Sequence, residues 1–442
     1  MHSLFFEYVT RNVAAMIGVS AYFFVDTFFI ALCSGADGIT ILNLVLPVYG
    51  LIYAIGAMIG IGSATCFSLK KGASSGSAEG YFTNALAWQI ILSVPFVLLG
   101  IFIPGRVLAF MGGDAGIVAE GEKYIRIVLI ATPAFMFNST FNAFTRNDNA
   151  PTVAMVAALG SSAFNILFDY IFMFPLGMGL PGAALATGIS PLVACAIYST
   201  HIFSSGSNVR LHKIMPSPGL LFASCRLGVS AFVGEISSAV TITVFNFLLL
   251  AAAGNLGVAA YGIVANLALI ATAIFNGLAN GMQPLVSTSF GNGRKGEVRS
   301  LLRLGIITAV LLEVIMISVA FGFTGGLTGI FNADGNRELA GYADRALKLY
   351  FTGYAFAGIN IVMTTFFSAI GAARSASVTS LLRGVLLIVV CGVVMSKIWG
   401  LDGIWLSFAA TEAIASIVIM TIFAVMQIQD KKIPNSLNQD KR

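Results

Sequence analysis

The chain has 442 residues, of which 57% are hydrophobic and 10% charged, with 47 glycines and 35 phenylalanines. A mean hydropathy of +0.91 excludes a soluble domain and places the chain among polytopic membrane proteins. The net charge of +5 is scattered between apolar runs, so it reports membrane topology and gives no nucleic-acid signal.

Apolar runs of roughly 20 residues between polar breaks give twelve predicted spans, an all-α fold. They cover about 11–33, 40–69, 83–103, 124–145, 153–174, 181–203, 226–252, 257–288, 301–322, 346–370, 378–398 and 403–428. The first is read as a retained helix rather than a signal peptide, because Asp26 sits where the apolar core would be. Leu32 is also too large for the residue before a lipoprotein cysteine at Cys33. Polar breaks fall at 70–76, at Arg146-Asn147-Asp148-Asn149-Ala150-Pro151 and at Phe290-Gly291-Asn292-Gly293-Arg294. The second of these reads as a turn with charge pairing, with a gate as its alternative. Pro47, Pro95, Pro133, Pro191 and Pro284 lie inside spans and permit kinks there. The longest connection, 204–225, separates an amino-terminal lobe (1–203) from a carboxy-terminal lobe (226–428). The tail, 429–442, is polar and expected to be disordered.

Twelve spans put both termini on one side. With that side cytoplasmic, 17 of the 24 Lys and Arg residues fall on cytoplasmic loops or helix ends, and the opposite orientation would reverse the bias. The halves also repeat. Gly179-Leu180-Pro181-Gly182 returns as Gly400-Leu401-Asp402-Gly403, Val107-Leu108-Ala109-Phe110 aligns with Leu327-Thr328-Gly329-Ile330, and Lys71-Gly72 aligns with Asn292-Gly293. Each match lies about 220 residues apart. Six spans per half give two pseudo-symmetric six-helix bundles of like orientation, related by an axis along the membrane normal, with a central cavity: transporter architecture.

Five acids fall within spans: Asp26, Asp169, Glu235, Glu313 and Glu412. Asn165 and Asp169, four apart, share one helix face. A carboxylate in hydrocarbon is expensive and usually functional, the plainer reading being a structural hydrogen bond between helices. Asp26 invites the same reading, Glu235 stands evenly between the two, and Glu313 and Glu412 lean structural. Arg11, Arg226, Arg303 and Arg383 fall towards span ends, so the interior is net negative and suits a cationic substrate or coupling cation. Buried carboxylates can carry protons, and Asp, Asn and Thr oxygens are hard ligands that suit Na⁺. The five cysteines contain no CxxC, so neither a disulfide framework nor a metal site is implied.

These stretches together resemble the multidrug and toxic compound extrusion (MATE) family over nearly the whole chain. The resemblance is carried by Val25-Asp26-Thr27, Phe141-Asn142-Ala143-Phe144-Thr145-Arg146 with Pro151, and Asn165-Ile166-Leu167-Phe168-Asp169-Tyr170. It continues in Gly182-Ala183-Ala184-Leu185-Ala186-Thr187, Glu235 and Gly281-Met282-Gln283-Pro284 with Gly291-Asn292-Gly293. It implies no enzyme and no cofactor, but a drug/cation antiporter shaped as an outward-opening V. It also implies one cation site at Asp26, Asn165, Asp169 and Thr187 for Na⁺ or H⁺, with Glu235 as a possible substrate or coupling residue. Span ten (Thr364-Thr365-Phe366-Phe367-Ser368) has no carboxylate, so a second site around Glu235 is incomplete. The expected partners are lipophilic, mostly cationic small molecules and the lipid bilayer, the expected state a monomer, and the expected location the bacterial cytoplasmic (inner) membrane. The alternative is a lipid-linked oligosaccharide flippase, which should line its cavity with Arg and Lys. A membrane-embedded transferase would need Asp-rich metal motifs or a central histidine with an acid, and an ATP-driven pump would need a Walker loop; neither is found.

Overall fold

A computed structural model describes residues 2–72, 80–213, 215–330 and 337–432. The predicted loop at 73–76 and the end of the polar tail, from 433, lie outside them. Among the described residues all regular structure is helical: α1 (His2–Gly72), α2 (Tyr81–Phe102), α3 (Pro104–Phe110), α4 (Ala115–Ile130), α5 (Thr132–Asn147), α6 (Pro151–Met173) and α7 (Leu180–Ile202). There follow α8 (Pro218–Gly291), α9 (Lys295–Gly322), α10 (Thr324–Ile330), α11 (Arg337–Phe351), α12 (Tyr354–Ala369), α13 (Ala373–Leu381) and α14 (Leu387–Lys432).

Three helices, α1, α8 and α14, are far too long for one crossing. α1 breaks at Gly35 (φ 55°, ψ −141°) and α8 at Gly254 (φ 61°, ψ −152°), positions that only glycine occupies without strain. Gly179 (φ 60°, ψ −141°), which precedes α7, and Gly400 (φ 58°, ψ −132°), inside α14, form a second pair with the same backbone. Each pair is about 220 residues apart, so the repeat extends to dihedral angles. α4 and α5 bend by 43° and form one span; α11 and α12 bend by 46° and form its counterpart. The short helices α3 and α10 occupy the predicted Val107–Phe110 and Leu327–Ile330 match. Counting bent pairs once and dividing the last long helix at Gly400 gives twelve spans among the described residues.

The sharp breaks inside α1 and α8 therefore fall at glycine, although Pro47 and Pro284 lie within those helices. Only Pro133 coincides with a sharp bend, at the start of α5. α8 begins at Pro218, with the Ser217 hydroxyl accepting from the Leu220 N–H. Helical structure thus starts inside the stretch read as connection, because Ser-Pro supplies both a cap and a first helical residue.

The packing is asymmetric across the membrane. Ile41, Val45, Phe135 and Leu180 belong to a core confined to the first bundle, and Phe245, Tyr261, Tyr350 and Trp405 to one confined to the second. Two further cores are mixed: Phe5 and Val9 pack with Met282 and Phe367, while Phe67 and Phe144 pack with Leu227 and Ala373. The mixed cores lie towards the membrane face that carries the amino terminus. The bundles are joined there, and at the opposite face each packs on its own core.

Glycine makes that junction possible. A Cβ on Gly62 would fall 2.0 Å from the Ser224 carbonyl oxygen, and one on Gly228 would fall 1.8 Å from the Met58 carbonyl oxygen. Across the pseudo-symmetric contact, Gly277 and Gly281 meet the backbone of Val13 and Val9 at 2.6 and 2.8 Å by the same measure. Gly62 and Gly281 are repeat mates. In lipid, helix association depends on such close backbone approach rather than on apolar burial. Polar bonds reinforce the seam: Gln283 Nε2 donates to Thr65 Oγ1 at 2.7 Å, and Ser63 Oγ to Ser224 Oγ at 2.9 Å.

Candidate cation-binding site

α6 presents Ser162, Asn165, Asp169 and Met173 as one buried stripe, the i, i+3/i+4 spacing of a helix face. Small residues on α7 let it approach; a Cβ on Gly182 would lie 2.9 Å from the Phe172 backbone. That approach brings Thr187 within reach, and Asn165 Nδ2 donates to Thr187 Oγ1 at 3.1 Å. The first half of α1 supplies Asp26, whose carboxyl lies beside that of Asp169. Exposures are 5% for Asp26, 1% for Asn165, 0% for Asp169 and 7% for Thr187. The structure therefore gathers all four predicted residues within the first bundle.

The hydrogen-bond inventory of this pocket is incomplete. Both Asp169 oxygens, one Asp26 oxygen and Asn165 Oδ1 are buried without a protein donor. A buried polar atom ordinarily finds a partner, and an unpaired carboxylate is among the costliest exceptions. Two carboxyls, an amide oxygen and a hydroxyl form a set of hard oxygen ligands suited to a proton or a small alkali cation, not to soft metals.

Tyr22 and Tyr124 stand within electrostatic reach of both acids. Neither follows from the sequence, since each is one of 12 tyrosines and no spacing marks it. Tyr22 also adjoins Tyr49, whose hydroxyl lies 3.4 Å from that of Tyr53. Glu235 is not part of the quartet. It is accessible to water yet densely surrounded by protein, as in a deep cleft, and faces Tyr53 across the bundles. A row of tyrosines thus runs from the two acids to Glu235.

Among the described residues the second bundle shows no such pocket. The position expected to mirror Asp26 is Phe245 or Asn246; Phe245 is fully buried and stacked on Tyr261 with centroids 4.9 Å apart, and Asn246 is half-buried. Glu412 is buried but paired: Arg383 Nε lies 2.7 and 2.8 Å from its two oxygens, and Asn360 Nδ2 donates to it at 2.8 Å. Arg383 is consequently not near a span end as read from sequence. The helix starts at Ala373, which places Arg383 well inside, on a π-helical turn over Leu382–Leu386. Glu313 accepts from the Ile359 N–H at 2.9 Å, a structural role.

At the joined face, the Asp148 carboxylate accepts from Lys71 Nζ (2.9 Å), Ser207 Oγ (2.8 Å), and the Asn208 backbone and side-chain amides (both 2.8 Å). His201 Nε2 lies 3.1 Å away. The predicted charge-paired turn is thus an anchor for the segment connecting the bundles. Burial alone would raise the Asp148 pKa; Asn208 and Lys71 more than reverse this and hold it below the ordinary value of 3.8.

This is a multi-pass helical membrane transporter of two six-helix bundles. A family model described as MatE matches residues 13–171 and 231–394, and the chain belongs to the multidrug and toxic compound extrusion (MATE) family. It is similar to the multidrug export protein MepA of Staphylococcus saprophyticus, 27% identical over 409 residues that cover 92% of this chain and 90% of that one. The protein of the same name from Staphylococcus aureus strain MRSA252 is 26% identical over 411 residues, with the same coverage. A solved multidrug resistance MATE family transporter of the MOP superfamily, in an outward-facing conformation, has the same fold. Its TM-score is 0.88 at 21% identity, covering 97% of this chain and 96% of that chain.

Proposed function

We propose that the protein is a secondary active exporter of lipophilic, mostly cationic small molecules, driven by entry of Na⁺ or H⁺ into the Asp26/Asn165/Asp169/Thr187 pocket. The observation carrying this is the pair of adjacent buried carboxyls, three of whose four oxygens are buried without a protein donor. Groups that the fold leaves unsatisfied are suited to a ligand that comes and goes. The MepA relatives, named as multidrug export proteins, support export of small-molecule drugs.

In this reading the bundles alternate between joining at the amino-terminal face, taken as cytoplasmic, and joining at the opposite face. A cation drawn between Asp26 and Asp169 pulls the first halves of α1 and α6 together. Tyr22, Tyr49 and Tyr53 pass that shift to the cleft, where Glu235 meets the cationic drug. Linkage requires cation and drug to prefer different arrangements, so binding of one promotes release of the other. All these groups come from one chain, so a monomer in the bacterial cytoplasmic membrane suffices.

The test is efflux of a fluorescent cationic dye from proteoliposomes with only a Na⁺ or only a H⁺ gradient imposed. One gradient should drive efflux, and Asp169→Asn should abolish that drive. Unchanged gradient-driven efflux in Asp169→Asn would refute the mechanism.

A further inference from the structure

A cavity of about 90 Å³ opens at the amino-terminal face of the first bundle, remote from the acids of α1 and α6. Phe67, Lys71, Phe82, Asn208, Arg210 and His212 line it. Three basic residues, Lys71, Arg210 and His212, thus line one cavity together with two phenylalanines.

The site is held in place from several directions. The His212 N–H donates to Thr83 Oγ1 at 2.9 Å, and the Ser217 N–H to Asn84 Oδ1 at 2.7 Å. Trp88 Nε1 donates to the Ser217 carbonyl at 3.3 Å. These bonds bind the connecting segment to the start of α2, while Asp148 binds its other end through Ser207 and Asn208. The backbone that carries Arg210 and His212 is therefore held beside the first turn of α2. That turn starts at Gly80, which also lines the cavity, and no side chain caps it. Its backbone N–H groups add positive potential to the same cavity.

Among the described residues the charges do not cancel. Lys71 is paired with Asp148, but Arg210 has no acidic partner among the described residues. A hydrated metal ion or a cationic drug would meet like charge here. An oxyanion matches Arg and Lys donors, and the phenylalanine walls accommodate apolar atoms next to it. Leu211 and Met215, 55% and 89% exposed, neighbour the basic residues in the segment. Basic pockets between helices at this depth suit acidic headgroups.

We propose that this cavity binds a phosphate group, the chemistry shared by anionic phospholipid headgroups and free phosphate. Occupancy would tie the segment that joins the bundles to the membrane surface or to the anion supply. This does not depend on cation coupling at Asp26 and Asp169.

The test is native mass spectrometry of the full-length protein in detergent, titrated with phosphatidylglycerol, with phosphatidylcholine of equal chain length, and with inorganic phosphate. Arg210→Gln and His212→Ala remove cavity groups, and Arg299→Glu reverses an exposed basic charge elsewhere on the same face. Phosphatidylglycerol retained over phosphatidylcholine, about tenfold weaker in Arg210→Gln and unchanged in Arg299→Glu, supports a lipid headgroup; tenfold is the worth of one charge-assisted bond. Inorganic phosphate that binds, displaces the lipid and shows the same Arg210 dependence supports a soluble source. Equal binding of the two lipids, equal weakening in Arg210→Gln and Arg299→Glu, or no binding of any probe overturns the proposal. Unchanged melting temperatures in the variants confirm that lost binding is not lost folding.

Discussion

Arg383 and Glu412 form a buried ion pair in the second bundle, with Nε 2.7 and 2.8 Å from the carboxylate oxygens, whereas among the described residues no basic side chain pairs with Asp169 in the first. One lobe pairs its buried carboxylate with a guanidinium of its own, and the other does not. Removing the guanidinium strands a buried carboxylate, which costs about 3–5 kcal/mol. Arg383→Met should melt well below the parent protein, and Arg383→Met/Glu412→Gln should recover most of the loss. A single variant that melts like the parent would contradict the pairing.

Asp169→Asn should move stability the other way. Replacing a carboxylate that lies beside Asp26 and has no donor removes repulsion and desolvation cost, so the melting temperature should rise by at least about 2 °C while ion-driven transport fails. A fall in melting temperature would mean that the carboxylate has a stabilising partner in the membrane.

Tyr49→Phe and Tyr53→Phe keep the rings and remove the hydroxyls that lie 3.4 Å apart between the acids and Glu235. Dye binding measured by fluorescence polarisation should persist, while its displacement by the coupling ion weakens about tenfold, a coupling change within the usual range. Displacement at parental concentrations would break the link from cation pocket to cleft.

Gly228→Val should prevent closure at the amino-terminal face, since even a Cβ would fall 1.8 Å from the Met58 carbonyl oxygen. A disulfide between Thr65→Cys and Gln283→Cys, whose side chains are hydrogen-bonded, should form readily in a cysteine-free parent and lose most of its yield when Gly228→Val is added. Undiminished crosslinking would show that the seam tolerates bulk.

The Asp148 anchor predicts an acid-sensitive connection. Its folded pKa lies below the ordinary value of 3.8, so the unfolded state takes up its proton first as pH falls. Its stabilising contribution is complete above the ordinary value and is lost as pH drops through the folded one. Melting temperature measured from pH 6 to pH 3 should decline less steeply in Asp148→Asn than in the parent. Parallel declines would remove Asp148 from the account.

The spans, the repeat and the four clustered residues were legible because each leaves a one-dimensional trace: apolar runs, an offset near 220, and polar residues where apolar ones belong. Asn165 and Asp169 needed only helical spacing to be placed on one face. Arg383 was misplaced because the apolar run begins after the true helix start, where Arg374 and two serines dilute it. Its partner lies 29 residues away on another helix, a separation no local pattern encodes. Gly35 and Gly254 were hidden among 47 glycines, and only their dihedrals distinguish them. Tyr22 and Tyr124 acquire meaning only from the acids they face.

The glycine seam also bears on how such a chain arises. Gly62 meets the first span of the second half, and Gly281 meets the first span of the first half, so each half offers the same surface that it receives. A six-span precursor with one such glycine could close on a second copy of itself as a twofold dimer. Fusing two copies would preserve the fit from the outset, leaving the face that carries Asp26 in one half free to become a sealed aromatic core around Phe245 in the other.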